Sequence, residues 1–248
     1  MTEFFSFPLT AASVPFCADL GRVDSTNSVL SRLNNPTGYS VVLTTDQTAG
    51  RGRRERQWVS RPRESLALSV LIPRARHLLA VDSWVPLLVG VAVVAALTEL
   101  GLGDAGLKWP NDVLVRGKKL AGILCEVLPQ GDVVAGLGIN LRFVGPPPTP
   151  QAISLDETMT FGHDTPDIFA STFLAHLREL MVAEPEEKRR RVEAVTVTIG
   201  RKVQILEPSS GTWAGFAESL DEEGHLVVID EAGERHALAA ADIEHLYQ

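Results

Sequence analysis

Cysteine is almost missing from these 248 residues: Cys17 and Cys125 stand far apart, with no further pair beside them. That excludes a disulfide framework and offers no close spacing for zinc or a redox dithiol, so both read as reduced thiols of a cytoplasmic protein. Long apolar runs are missing too. The longest, WVPLLVGVAVVAAL at 84–97, is bounded by Asp82 and Glu99 and falls short of the roughly 20 residues that span a bilayer. It reads as a buried core helix. The opening MTEFFSFPLTAASVPF lacks a basic flank and is broken by Pro8 and Pro15, so it does not read as an export signal. Positive charge is also in deficit, with 23 Lys and Arg against 31 Asp and Glu and a net charge of −8. A protein that coats nucleic acid or an anionic membrane with its whole surface is thereby disfavoured. No repeat period and no low-complexity tract interrupts the chain.

What is present is an alternation of strand and helix in a chain that is 45% hydrophobic, enough for one sizeable α/β domain and a small second one. DSTNSVLSRL places Asp24, Ser25 and Thr26 as caps before a helical face of Val29, Leu30 and Leu33. YSVVLTT (39–45) and SLALSVLIP (65–73) read as buried strands. The long helix is expected from Asp82 or Ser83, with Pro86 in its first turn and Gly101 at its end. LKWPNDVLVRGKKLAGILCEVL reads as strands around the turns 110–112 and 116–118, and VVAGLGINL (133–141) as another strand. After the stiff GPPPTP segment, 166–184 forms an amphipathic helix, with EPEEKRRRVEAV prolonging or following it. From about 196 the texture changes to KVQIL, TWAGFAESL, HLVVID and RHALAA between tight polar turns, the pattern of a small barrel. The expected organisation is therefore a large domain at 1–195 and a small β domain at 196–248.

One stretch breaks the acidic balance. GRGRRERQWVSRPR (50–63) sets Arg51, Arg53, Arg54, Arg56, Arg61 and Arg63 among two glycines and a tryptophan. Glycines let a backbone approach a ligand closely, and guanidinium forks match carboxylates and phosphates. An anion clamp, a nucleic-acid contact with Trp58 stacking on bases, and a solvated loop would all use these residues. Glu55 lies inside the run, where it could pair with Arg54 or Arg56.

The stretch has company. DSTN (24–27), TTDQTAGRGRRERQW (44–58), KWPND (108–112), KKLAGIL (118–124) and GLGINL (136–141) stand in the order and spacing that resemble the catalytic domain of biotin protein ligases. The resemblance covers about residues 22–142 by motif. It implies a mixed β-sheet flanked by helices, similar to the class II aminoacyl-tRNA synthetase core, followed by a small SH3-like barrel. Only 23 residues precede Asp24-Ser25, too few for the DNA-binding domain of bifunctional members, so a monofunctional type with no DNA partner is expected.

The resemblance implies that biotin and ATP, with Mg²⁺, form biotinyl-5′-AMP and pyrophosphate. The biotinyl group then passes to a lysine of a biotin carboxyl carrier domain of an acyl-CoA carboxylase. A carboxylate is already a nucleophile, so the first step needs charge screening rather than a base. On this resemblance Lys119, Arg51 and Arg53 carry the chemistry. Ser25, Thr26, Asn27, Gln47, Gly50, Gly52 and Gly122 join them around biotin. Arg53, Trp58, Lys108, Asn111, Asp112 and Asn140 lie at ATP, with Trp58 near the adenine and no metal ligand singled out. Lys118 is expected in solvent, Ile123 serves either a ligand wall or an ordinary strand, and 49–58 is expected to be a mobile lid. A role for Asp112 in deprotonating the acceptor lysine stays open, and the resemblance admits a monomer or a homodimer. The rivals are a lipoate or octanoyl ligase or transferase of the same fold and a non-enzymatic polyanion-binding protein.

Overall fold

The computed structural model describes residues 5–54, 56–59, 61–74, 83–207, 211–239 and 241–246. Asp82 and Glu55, to which the sequence gives roles, lie outside them. In chain order the elements are α1 (Pro8–Ser13), β1 (Cys17–Val23), α2 (Thr26–Ser31), β2 (Val41–Gln47), the two-residue strands β3 (Gly50–Arg51) and β4 (Gln57–Trp58), β5 (Ser65–Ile72) and α3 (Trp84–Glu99). Then follow β6 (Ala105–Lys108), β7 (Asp112–Val115), β8 (Lys118–Val127), β9 (Val133–Asn140), α4 (Thr165–Val182) and α5 (Pro185–Val195). The last are β10 (Lys202–Glu207), β11 (Gly211–Leu220), β12 (Leu226–Asp230), β13 (Arg235–Leu238) and β14 (Asp242–His245).

A seven-stranded mixed sheet in the order β1-β2-β5-β9-β8-β7-β6 forms the centre. β1 runs parallel to β2 through the short crossover α2, and every other neighbouring pair is antiparallel. Alternation along the strands decides which face does what. In β5, Leu66, Leu68, Val70 and Ile72 enter the main core, while Ser65, Ala67 and Ser69 turn to the opposite face. In β9, Val133, Ala135, Leu137 and Ile139 enter the same core, leaving Gly136, Gly138 and Asn140 opposite. The register aligns the small sets, with Ser69 against Gly136, Ala67 against Gly138 and Gly138 against Gly122 of β8. One face thus buries large side chains under α3 and α4; the other packs Leu30 of α2 on Val42, Leu71 and Val134 at one end and leaves a shallow floor of small residues at the other.

Helix α3 is apolar nearly all round and correspondingly buried. Pro86 sits in its first turn, and Gly101 at φ +92° ends it, a left-handed turn that glycine adopts without Cβ strain. α5 follows α4 as a separate helix, because Ala183 and Glu184 are extended before Pro185. The N-terminal segment is held down by buried Asp167, whose carboxylate accepts from the Leu9 and Thr10 amides and the Thr10 hydroxyl. The sequence reading gave neither α1 nor β1.

The C-terminal strands make a five-stranded antiparallel sheet in the order β13-β12-β11-β10-β14, one strand more than the sequence suggested. Its 221–225 turn is fastened to the rest of the chain by two indoles. Trp84 Nε1 donates to the Glu222 carbonyl at 2.9 Å and Trp109 Nε1 to the Gly224 carbonyl at 3.1 Å, with the Ser83 hydroxyl bonding to Glu223 O. No helix among the described residues is long and apolar enough to cross a membrane.

Candidate active site

The floor of small residues is overhung on one side by the start of α2 and on the other by the ribbon of β3 and β4, leaving a cavity of about 280 Å³. Glycine is required here by close approach. A Cβ on Gly138 would lie 2.6 Å from Cε2 of Trp58, one on Gly136 would lie 2.2 Å from Oδ1 of Asn27, and one on Gly50 would lie 2.5 Å from the Trp58 carbonyl oxygen. Trp58 therefore lies flat on the opposed pair Gly122 and Gly138. Its buried Nε1 has no hydrogen-bond partner.

Lys119 reaches this cavity because of a register shift. Ordinary alternation from Gly122 would send Lys119 to the core face. Between Val113 and Leu114 of β7 the pairing slips by one residue of β8, and both Leu120 and Ala121 enter the core. A β-bulge of this kind re-aims the residue beyond it. The Lys119 ammonium consequently sits over Gly122, 2.7 Å from Oδ1 of Asp112 and 5.8 Å from the Trp58 ring centroid. Lys118 is exposed, as expected.

At the α2 end, Ser25 occupies the N-cap position without a side-chain cap bond, so the capping role read for Ser25 and Thr26 is not taken up by their side chains. The Thr26 amide donates to Oε1 of Gln47 at 2.9 Å. The Ser69 hydroxyl lies 2.6 Å from Oδ1 of Asn27 and 2.7 Å from the Thr26 hydroxyl. A carbonyl oxygen can only accept, so the one Ser69 proton goes to Asn27, and the one Thr26 proton is shared between the Ser69 oxygen and Oε1 of Gln47, 3.3 Å away. Asn27 Nδ2 donates to the Leu124 carbonyl and to Glu126 Oε2. Both its amide protons are thereby spent inside the protein.

The arginine stretch forms a short ribbon rather than an irregular loop, with Gly50 opposite Trp58 and Arg51 opposite Gln57. Arg54 at its turn has φ +52°. Arg51 bonds to Glu126 at 2.8 Å, and Arg53 donates to Oδ1 of Asn111 at 3.3 Å. Arg54 and Arg56 both meet Asp242 of β14. An acidic partner for both thus comes from the C-terminal sheet, while the neighbouring Glu55 lies outside the described residues. Arg61 pairs with Glu64 at 3.3 Å.

Two cations are partly stripped of water. Burial, then the neighbouring Arg54, lowers the Arg53 guanidinium from its ordinary value, against Asp242 and Asp112. Burial lowers Lys108 as well, with Asp112 opposing and Lys119 adding to the shift. Both would gain from an anion entering the cavity. Asn111 locks the turn after the cis Trp109–Pro110 peptide, donating from Nδ2 to the Ile123 carbonyl while its own carbonyl accepts from the Ile123 amide.

A second cavity of about 470 Å³ opens beyond the tryptophan, between Asn140, Phe143, the prolines at 147 and 148, and Arg61 with Glu64. It shares Gln57, Trp58 and Lys119 with the first. The residues expected at one nucleotide site are thus divided. Arg53, Lys108, Asn111 and Asp112 line the first cavity, Asn140 the second, and Trp58 both. Asn140 uses Nδ2 on the carbonyls of Lys119 and Ile153, so it positions the Lys119 backbone. Of the residues expected around biotin, Gly50 is the one that lines neither cavity; it serves the ribbon instead.

Sequence reasoning missed Ser69, Glu126, Asp242 and the 143–149 wall. The small-large alternation in SLALS and GLGIN would have marked one face as a close-packed floor and so pointed to Ser69. No local signal marks the two acids.

Groups of three metal-ligating side chains among the described residues, Asp221 with Glu223 and His225 and Asp230 with Glu234 and His236, lie at the 221–225 turn and at the β12–β13 hairpin of the C-terminal sheet. At the first cavity the carboxylates are Asp112, Asp242 and Glu244.

Comparison with known proteins gives these features a context. The model of the biotin/lipoate A/B protein ligase family matches residues 20–142. A biotin–[acetyl-CoA-carboxylase] ligase of Mycobacterium tuberculosis is 36% identical over 83% of this chain and 79% of its own. One from Paracoccus denitrificans is 33% identical over 90% of this chain and 98% of its own. The solved biotin protein ligase of Aquifex aeolicus in complex with biotin and ATP superposes with a TM-score of 0.79 at 25% identity, over 94% of this chain and 100% of the other. The chain belongs to the biotin/lipoate A/B protein ligase family and, within it, to the biotin protein ligases.

Proposed function

We propose that this protein joins biotin to ATP, releases pyrophosphate, and passes the biotinyl group from the adenylate to a lysine of a biotin carboxyl carrier domain. The observation that carries the reading is the meeting of two cavities at Lys119, Gln57 and Trp58. A ligand with a small polar ring at one end and a nucleotide at the other would have its reacting junction at the Lys119 ammonium.

In this reading the ring lies on the Gly122–Gly138 floor against Ser25, Thr26 and Gln47, where its hydrogen bonds to water are replaced. Its carboxylate points toward Lys119 and the ribbon. Lys119, Arg51 and Arg53 screen the repulsion between that carboxylate and the α-phosphate and take up the charge that grows on the bridging oxygen. Attack forms the new C–O–P link and breaks the bond to pyrophosphate. In the second step the acceptor amine attacks the biotinyl carbonyl and AMP leaves. Asp112, held by Lys119 in the free protein, would receive a proton from that amine once pyrophosphate and its Mg²⁺ have left. Adenine and ribose occupy the second cavity beside Trp58, with Asn140 fixing its floor.

Magnesium fits this donor set when phosphates supply most of its ligands, since Mg²⁺ binds through one or two carboxylates plus phosphate oxygens and water. Asp112 would hold it, and the ion would neutralise the departing pyrophosphate. The five short strands from β10 to β14, with an irregularity between Ala217 and Ser219 of β11, support reading 196–248 as an SH3-like barrel domain after a catalytic domain at 1–195. A cytoplasmic location and a monomer or homodimer complete the proposal.

The test is mass spectrometry of an apo carrier domain incubated with this protein, biotin, ATP and Mg²⁺. One added biotinyl group on one lysine is the expected product. Modification with lipoate or octanoate instead would reassign the activity to the other branch of the family, and no modification would refute the reading.

A further inference from the structure

Glu126 lies two residues beyond the KKLAGIL stretch and joins two parts of the first cavity's wall, Asn27 and Arg51. It follows Leu124 by two positions on β8, so it emerges on the floor side, while Cys125 between them packs against the core. A single oxygen, Oε2, accepts from Asn27 Nδ2 at 2.7 Å and from Arg51 Nη2 at 2.8 Å. Asn27 comes from the start of α2, Arg51 from the ribbon. The bond to Asn27 is partly buried, while the bond to Arg51, with side chains 48% and 32% exposed, is open to water.

Two consequences follow from the donor count. Asn27 spends one amide proton on Glu126 and the other on the Leu124 carbonyl, which leaves its oxygen turned to Ser69 and lying on Gly136. Remove the acceptor and the carboxamide can reverse, presenting N–H groups where the Ser69 hydroxyl must donate. Arg51, meanwhile, is drawn to the wall that carries Asn27. Among the described residues its other side-chain bond is a long one, 3.4 Å, to the Ser28 hydroxyl.

We propose that Glu126 is a positioning residue that ties the ribbon to the ring-binding wall, so that the two hold biotin as one unit. This rests on the biotin-ligase reading above. Biotin bound against the wall would then be retained by the ribbon because both are fastened to the same oxygen. Glu126 lines neither cavity and acts through Asn27 and Arg51, which line the first and not the second, so the larger effect falls on biotin.

The test is Glu126→Gln, which keeps the shape and removes the charge that strengthens both bonds. Biotin affinity is measured by calorimetry, and the KM for each substrate by biotin-dependent pyrophosphate release. We expect the biotin Kd and KM to rise about tenfold, the scale of losing one charge-assisted hydrogen bond, with the ATP KM within about twofold of wild type. In a cycle with Arg51→Met, the double variant should lose less than the product of the single losses, because the same bridge is broken twice. Unchanged biotin binding in Glu126→Gln, equal effects on both substrates, or independent losses in the cycle would each overturn the inference while leaving the enzyme reading intact. A wild-type protein that binds no biotin would overturn both.

Discussion

Two glycines on one strand face should respond to the same substitution in opposite ways. At Gly136 an alanine Cβ would stand 2.2 Å from Asn27 Oδ1, 2.9 Å from its Cγ and 3.0 Å from its Nδ2. The carboxamide cannot retreat, because Glu126, Leu124 and Ser69 hold it on three sides. Making room breaks at least the charge-assisted bond, at about 1.5–3 kcal/mol. For a chain of this size that is a fall in melting temperature of roughly 3–12 °C. At Gly138 the clash is with the Trp58 ring, 2.6 Å at Cε2. That indole makes no hydrogen bond and rides on a two-residue strand, so it can lift. Gly138→Ala should melt within about 3 °C of wild type yet lose biotin-dependent pyrophosphate release on the order of 100-fold, because the lifted ring misplaces the ligand by about 1 Å. Differential scanning fluorimetry alongside a pyrophosphate assay separates the two. Equal melting of Gly136→Ala and wild type, or full activity of Gly138→Ala, would refute the account of the floor.

Lys119→Ala should fold normally, since the side chain faces the cavity, while pyrophosphate release falls by about 10²–10³; retained activity would mean that another cation does this work. Asp242→Asn removes the acid that holds Arg54 and Arg56. Such a partly exposed cluster contributes at most about 1 kcal/mol, so melting should barely move while amide exchange at 50–58 accelerates and slows again with biotin and ATP. Identical exchange in variant and wild type would dismiss the pinned ribbon. Burial, then Lys108 and Arg201, pushes His245 from an ordinary 6.5 down to about 4. The unfolded chain therefore takes up that proton first on acidification, and stability present above pH 6.5 is lost as pH falls toward 4. His245→Gln should flatten the melting-temperature curve across that window, and an unchanged slope would contradict the assignment.

The central elements were legible because their periodicities are strong: the apolar α3, and the strands β2, β5 and β9. β1 was not, since Cys17–Val23 lies at a sheet edge with mixed polarity and is identified only by pairing with β2. β14 was missed for a similar reason: its four residues, two of them acids, carry no strand pattern of their own and are identified by pairing with β10. In the site, the arginines, Lys119 and the turn at 108–112 were visible as motifs. The aim of Lys119 was not, because it depends on a pairing slip between two strands that no single segment encodes. Nor were Glu126 and Asp242, whose partners lie far away along the chain. The Asn140 amide was expected at a ligand, whereas its donor serves backbone carbonyls, a distinction that residue type alone cannot make.

The two indole bonds to one hairpin bear on how such proteins could be recombined. Because Trp84 and Trp109 grip the carbonyls on either side of Glu223, the final sheet is held in one seating, and that seating brings Asp242 and Glu244 to the cavity rim. A chimera that borrowed its last fifty or so residues from a relative would need a graft whose turn between its second and third strands offers carbonyls at the same two heights. Without them the borrowed piece could fold well and still leave the substrate chamber open along one side.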